Sequence, residues 1–244
     1  ASSNTAVGFK ALINNTTGNA NTASGRYALK LNTSAADNTA SGYASLRQNT
    51  TGASNTATGK FALRNNTTGY KNTAVGSDSL QNNTTGCFNI GIGYATGGAI
   101  TTACWSTAVG TCALAINTTA GYKTAVGSLA LKNSTSGVYD VAVGYSALRQ
   151  TTTGSKNTAV GTFALINNTT GVCNTAMGYN ALGSSTTAGC NTAVGIQALK
   201  TNTTGFMNTA VGMDAMYSST TSRHSTAIGY TALFSTTSGR YNTA

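Results

Sequence analysis

Single apolar residues stand among small and polar ones at a fixed interval along this chain, and that interval dictates the fold. The glycine that closes each Asn-Thr-Ala-Val-Gly segment recurs at Gly8, Gly25, Gly42, Gly59, Gly76, Gly93, Gly110, Gly127, Gly144, Gly161, Gly178, Gly195, Gly212 and Gly229, always 17 residues apart. Fourteen repeats therefore begin at residues 4, 21, 38, 55, 72, 89, 106, 123, 140, 157, 174, 191, 208 and 225. They form one uninterrupted array across residues 1–244, with the consensus N-T-A-V-G-x-x-A-L-x-N-N-T-T-G-x-x. Helical and leucine-rich repeats need longer periods. A 17-residue unit with two glycine-marked turns fits an all-β fold, a parallel β-solenoid or β-roll of fourteen coils with two short strands per coil.

Alternation along the first strand places repeat positions 2 and 4 on one face and positions 3 and 5 on the other. Position 2 is Thr except at Ile90 and Val141, and position 4 is mainly Val. This predicts an inward face at 2 and 4, with a weaker core at Ser24, Ser41 and Thr58. Position 9, Leu in twelve repeats, is the second predicted core column. Ala at position 3 and invariant Gly at position 5 call for a close neighbour, either the opposite wall of a thin coil or, the favoured choice, another chain. In the sixth repeat Gly97 replaces the core Leu, and Ile92 and Ile100 are the candidates to compensate.

A fixed period also stacks identical side chains. Position 13 is Thr in all fourteen repeats, position 14 is Thr or Ser, and Asn dominates position 1. At the 4.7–4.9 Å spacing of paired strands, roughly one coil per step, such columns hydrogen-bond along the stack. A single coil cannot bury enough apolar surface to offset its ordering, so the array, not the coil, is the stable unit.

Composition adds a charge argument. There are 14 basic and 4 acidic residues, a net charge of +10, and charged residues make up only 7% of the chain. Position 10 is basic at Lys30, Arg47, Arg64, Lys132, Arg149 and Lys200, a candidate basic stripe. Position 17 carries Phe88, Trp105, Tyr122 and Tyr139 on successive coils, a candidate surface-contact ladder. A dispersed positive surface suits surface glycans or other anionic polymers, with no nucleic-acid specificity. No apolar run is long enough to span a membrane.

The cysteines are in phase. Cys87 and Cys104 share position 16 and Cys173 and Cys190 share position 17, each pair one repeat apart, which allows two disulfides between adjacent coils and leaves Cys112 over. Disulfides suit an extracellular setting, whereas reduced thiols stacked by repeat duplication would carry no such meaning. Without Cys-x-x-Cys or a Cys/His cluster, no metal or cofactor is expected. Asn-x-Thr segments such as Asn15-Thr16-Thr17 and Asn168-Thr169-Thr170 match glycosylation acceptors. Catalysis needs titratable groups that converge. The chain has one histidine, His224, whose nearest acid in sequence is Asp214, while Asp37, Asp78 and Asp140 sit in separate coils, so an enzyme is not expected.

The motif N-T-A-V-G-x-x-A-L resembles the head repeats of trimeric autotransporter adhesins and the repetitive shafts of phage tail-fibre-like proteins. The resemblance covers nearly the whole chain. It implies a left-handed parallel β-roll with three chains side by side, serving attachment or a surface filament. The functional expectation is a structural extracellular fibre, self-associating as a homotrimer or filament at a cell surface or in a virion fibre. The alternatives are a receptor- or glycan-binding adhesin and an ice-binding solenoid built on regular Thr columns.

Overall fold

The computed structural model describes residues 2–244. Two compact units divide the chain, residues 1–122 and 123–244. Each is a parallel β-solenoid with no helix among its described residues, and every coil contributes one three-residue strand at repeat positions 2 to 4. In the first unit the strands run from Thr5–Val7 to Thr107–Val109, and in the second from Thr124–Val126 to Thr226–Ile228. Each strand pairs in parallel with those of the adjacent coils of its own unit, in a register of one full repeat: Thr5 opposite Thr22, Ala6 opposite Ala23; Thr175 opposite Thr192, Met177 opposite Val194.

The second predicted strand does not form. Positions 7 and 9 take left-handed backbone angles, for example Lys10 at φ 56° and Leu12 at φ 51°. This converts the Ala-Leu segment into successive bends. The amides on either side still leave along the stack axis: Tyr27 N–H donates to Phe9 O of the preceding coil at 3.0 Å, and Leu29 N–H donates to Ser45 O of the following coil at 3.1 Å. A non-glycine residue in that region costs on the order of 1–2 kcal/mol. Leu29, Leu46 and Leu63 accept it in exchange for complete burial and an axial hydrogen bond.

The predicted inward face is also reversed. Ala at position 3 is fully buried through the interior of each unit, as at Ala40 and Ala176, while positions 2 and 4 flank it on the outside. The cause is the narrow coil. At Gly91, which takes the place of Ala at position 3, an added Cβ would lie 2.6 Å from Ser79 Oγ and 2.8 Å from Leu80 Cγ of the preceding coil. At Gly91 even a methyl would collide with that wall, and in the other interior coils the position 3 alanine methyl is completely buried, so the close neighbour of position 3 is the same coil stack and not another chain. Ser24, Ser41 and Thr58 are accordingly exposed and weaken no core. In the sixth repeat Ile100 is buried and fills the space beside Gly97, whereas Ile92 is 41% exposed and does not.

The rest of the interior is polar and hydrogen-bonded. Asn at position 1 forms a ladder in which Oδ1 accepts from the backbone N–H of the next rung and, at many rungs, from its Nδ2 as well, as Asn38 does from Asn55 at 2.9 and 3.2 Å. Asn at position 12 forms a second ladder: Asn66 Nδ2 donates to Asn49 Oδ1 at 2.8 Å. The two ladders meet at the position 15 carbonyl. Gly69 O accepts from Asn55 Nδ2 at 2.9 Å and Asn66 Nδ2 at 2.8 Å, which uses both of its lone pairs. This buries the acceptor amide of Asn168-Thr169-Thr170, so that matched glycosylation motif is closed. On the outside, position 13 threonine hydroxyls within each unit donate to the position 13 carbonyl of the next coil, as Thr67 does to Thr84 at 3.0 Å.

Candidate functional site

With the interior committed to holding coils together, any functional chemistry lies on the outer columns. Positions 6, 7, 10, 16 and 17 project outward and carry nearly all of the charge and most of the aromatic area. Within the predicted position 17 ladder, Phe88 and Trp105 stack with ring centroids 4.0 Å apart and planes 5° apart. Tyr70, at position 16, meets Phe88 edge-on at 5.4 Å, and the Lys71 ammonium lies 5.1 Å from the same ring. Trp105, Tyr122 and Tyr139 are all exposed.

The position 10 basic residues belong to a mixed surface of cations and rings. Lys30 lies 5.5 Å and Arg47 5.7 Å from the Tyr27 ring, Arg64 lies 4.7 Å from Phe61, and Lys200 lies 5.0 Å from Tyr217. Arg149 is half-buried, with its Nε shielded from solvent, and Lys132 is half-buried too. Cation–π geometry of this kind partly satisfies the charges before any ligand arrives.

A second aromatic column escaped the sequence reading because it alternates between positions 6 and 7. Phe9, Tyr27, Tyr43 and Phe61 form a zigzag of edge-to-face contacts at 5.6, 6.1 and 5.3 Å. Tyr145, Phe163 and Tyr179 repeat the device in the second unit at 5.5 and 6.0 Å. A scan at one fixed phase loses such a column; allowing one residue of slack at aromatic positions would have found it. The Arg26 guanidinium donates a 2.9 Å hydrogen bond to the Tyr27 hydroxyl, which favours the phenolate and draws that phenol below its ordinary range.

Of the two predicted cysteine pairs, Cys87 and Cys104 are joined as a disulfide, with Cα atoms 4.7 Å apart. Cys173 and Cys190 are free and exposed, and Cys112 is free. At position 17 both free cysteines take left-handed backbone angles, Cys173 at φ 58° and Cys190 at φ 56°. Peptide mapping of the oxidised protein should recover the 87–104 linkage, while a maleimide reagent labels Cys173 and Cys190. A 173–190 crosslink in freshly purified protein would contradict this pairing.

His224 contacts rings rather than acids, with Phe206 at 5.5 Å and Tyr241 at 5.2 Å. An open depression beside it is lined by Thr221, Arg223, Ser238, Gly239 and Arg240 and carries no carboxylate. No group of three or more metal-ligating side chains occurs among the described residues, and no helix there is long and apolar enough to cross a membrane.

One ionisable pair is internal. Lys123 and Asp140 occupy position 1 of adjacent coils in the second unit, replacing amides in the Asn ladder. Both are buried. Asp140 Oδ1 accepts from Asn157 N–H at 2.9 Å and Asn157 Nδ2 at 3.2 Å, but Oδ2 has no hydrogen-bond partner. Lys123 Nζ donates to Ser134 Oγ at 2.7 Å. Burial raises the Asp140 carboxyl to about 6 and lowers the Lys123 ammonium to about 8, each opposed by attraction to the other. Two opposite charges one period apart at the same position were the sequence signal for this pair.

The sequence matches no protein-family model and no curated protein. The fold itself defines the class: a tandem-repeat β-solenoid.

Proposed function

We propose that this chain is a structural fibre element of the extracellular space, a self-associating β-solenoid shaft used for surface attachment at a cell or virion surface. The observation that carries the reading is the coil-to-coil bonding. Within each unit the backbone, the Asn ladders and the Thr column repeat one register, which makes a stiff scaffold and leaves the aromatic columns exposed on the outside. Exposed rings such as Tyr145 and Tyr179 are the surface on which copies of the chain meet. The Cys87–Cys104 bridge supports an oxidising compartment, and the resemblance to adhesin heads and tail-fibre shafts supports a homotrimer or filament. Electron microscopy of the purified chain, with averaged cross-sections, tests it. Elongated multi-chain assemblies are expected; isolated single chains at all concentrations would overturn it.

A second reading rests on the Phe88–Trp105 stack. Its flat, exposed aromatic face beside Tyr70 and Lys71 suits the apolar face of a sugar ring, so the same shaft would act as a glycan-binding adhesin. A glycan array separates the two readings, because binding abolished by Trp105→Ala requires the adhesin role.

A further inference from the structure

We infer that the outer face of the strands is an ice-binding surface, a function distinct from the fibre reading and located on different columns. The argument starts with the reversed strand face. Positions 2 and 4 present two parallel outward columns, Thr at position 2 in twelve of fourteen repeats and mainly Val, Ile, Thr or Ser at position 4. Of the 14 basic and 4 acidic residues, none stands at positions 2 to 5. On a chain of net charge +10, this neutral face is complementary to a neutral partner and to no charged polymer.

The same amino acid is used in opposite ways on the two threonine columns. Position 13 hydroxyls are spent on the next coil's carbonyl, as at Thr169 to Thr186, 3.0 Å. Among the described residues, no position 2 threonine hydroxyl has a protein partner. Those hydroxyls are available to water, and the adjoining methyl and isopropyl groups hold water at van der Waals distance without bonding it. Both residue types are β-branched and stiff at χ1, so the columns are preordered.

Spacing then selects the kind of water. In-register pairing sets the repeat between coils, and adjacent coils have Cα atoms 4.7 Å apart at Cys87 and Cys104. Tetrahedral water with O–H···O distances of 2.7–2.8 Å places second-neighbour oxygens roughly 4.5 Å apart. One hydroxyl per coil therefore falls close to one lattice row of ice, and the error accumulates slowly over the seven strands of a unit. Liquid water has no such row to match, and a soluble polymer has no reason to share the period.

The test uses the full chain at concentrations where it is dispersed. Ice affinity partitioning and the thermal hysteresis gap are measured for the unaltered protein, for Thr175→Lys and Thr192→Lys on the strand face, and for Thr187→Lys on the exposed position 14 column. The unaltered protein and Thr187→Lys should enter growing ice and show a hysteresis gap. The two strand-face variants should lose the gap while keeping the parent circular dichroism spectrum. Exclusion of the unaltered protein from ice overturns the inference, as does a gap in the folded strand-face variants equal to the parent's. Either result leaves the fibre reading to be judged by electron microscopy.

Discussion

Gly178→Ala should destabilise the second unit by about 3 kcal/mol or more, read as a lowered urea midpoint. Two penalties add at this one atom. Gly178 sits at φ +134°, where an L side chain is strained. The new Cβ would also lie 2.6 Å from the Gly195 carbonyl carbon and 3.2 Å from Ile196 N. Both contacts are backbone of the next coil, which cannot swing aside as a side chain could. Relief requires the coils to separate at the point where Gly178 N–H donates to Val160 O and Gly195 N–H donates to Met177 O, each at 2.8 Å. Ala181→Gly in the same coil is the matched control: it removes one buried methyl and should cost only about 1 kcal/mol. Equal stability of Gly178→Ala and the parent would mean that the tight stacking at position 5 is not the structure in solution.

The period, the axial stacking and the Thr 13 ladder were legible in the sequence, because each follows from phase alone; phase allowed the 87–104 disulfide but equally a 173–190 one, which does not form. What phase could not give was direction. Alternation at Thr5-Ala6-Val7 says that two side chains oppose one, not which set is inside. Hydrophobicity pointed to Val, but space decided for Ala: the position 3 methyls are completely buried, and at Gly91 the facing wall of Ser79 and Leu80 leaves no room even for a methyl. The core was also misjudged in kind. Asn at positions 1 and 12 reads as loop composition, yet Asn66 and Asn72 are fully buried because each finds its acceptors one period away. A side chain whose partners are copies of itself is satisfied only in the stack, and so a single repeat gives no hint of it. The missing second strand has the same origin: left-handed Leu80, at φ 49°, is tolerable only when the stack buries it.

The Lys123–Asp140 pair should give the second unit a stability minimum at neutral pH, the reverse of the usual profile. Asp140 is raised from 3.8 to about 6 on folding, so the folded state holds its proton more tightly than the unfolded chain does. Stability linked to that proton is fully present below pH 4 and is lost as pH rises through 6, a fall of roughly 3 kcal/mol. Lys123 is lowered from 10.5 to about 8, so the folded state releases its proton more readily than the unfolded chain. Its contribution is absent while both states are charged and grows between pH 8 and 10.5, again by roughly 3 kcal/mol. Between pH 6 and 8 both groups are charged inside a ladder built for amides, with Asp140 Oδ2 lacking a hydrogen-bond partner. Urea midpoints measured from pH 4 to 10 should therefore trace a trough. Asp140→Asn alone should gain little, since it strands the ammonium without its carboxylate. The double variant Lys123→Asn with Asp140→Asn restores amides to both rungs and should be more stable than the parent at pH 7 with a flattened profile. A parent profile that peaks between pH 6 and 8 would show that the pair is better solvated than its burial in the ladder allows.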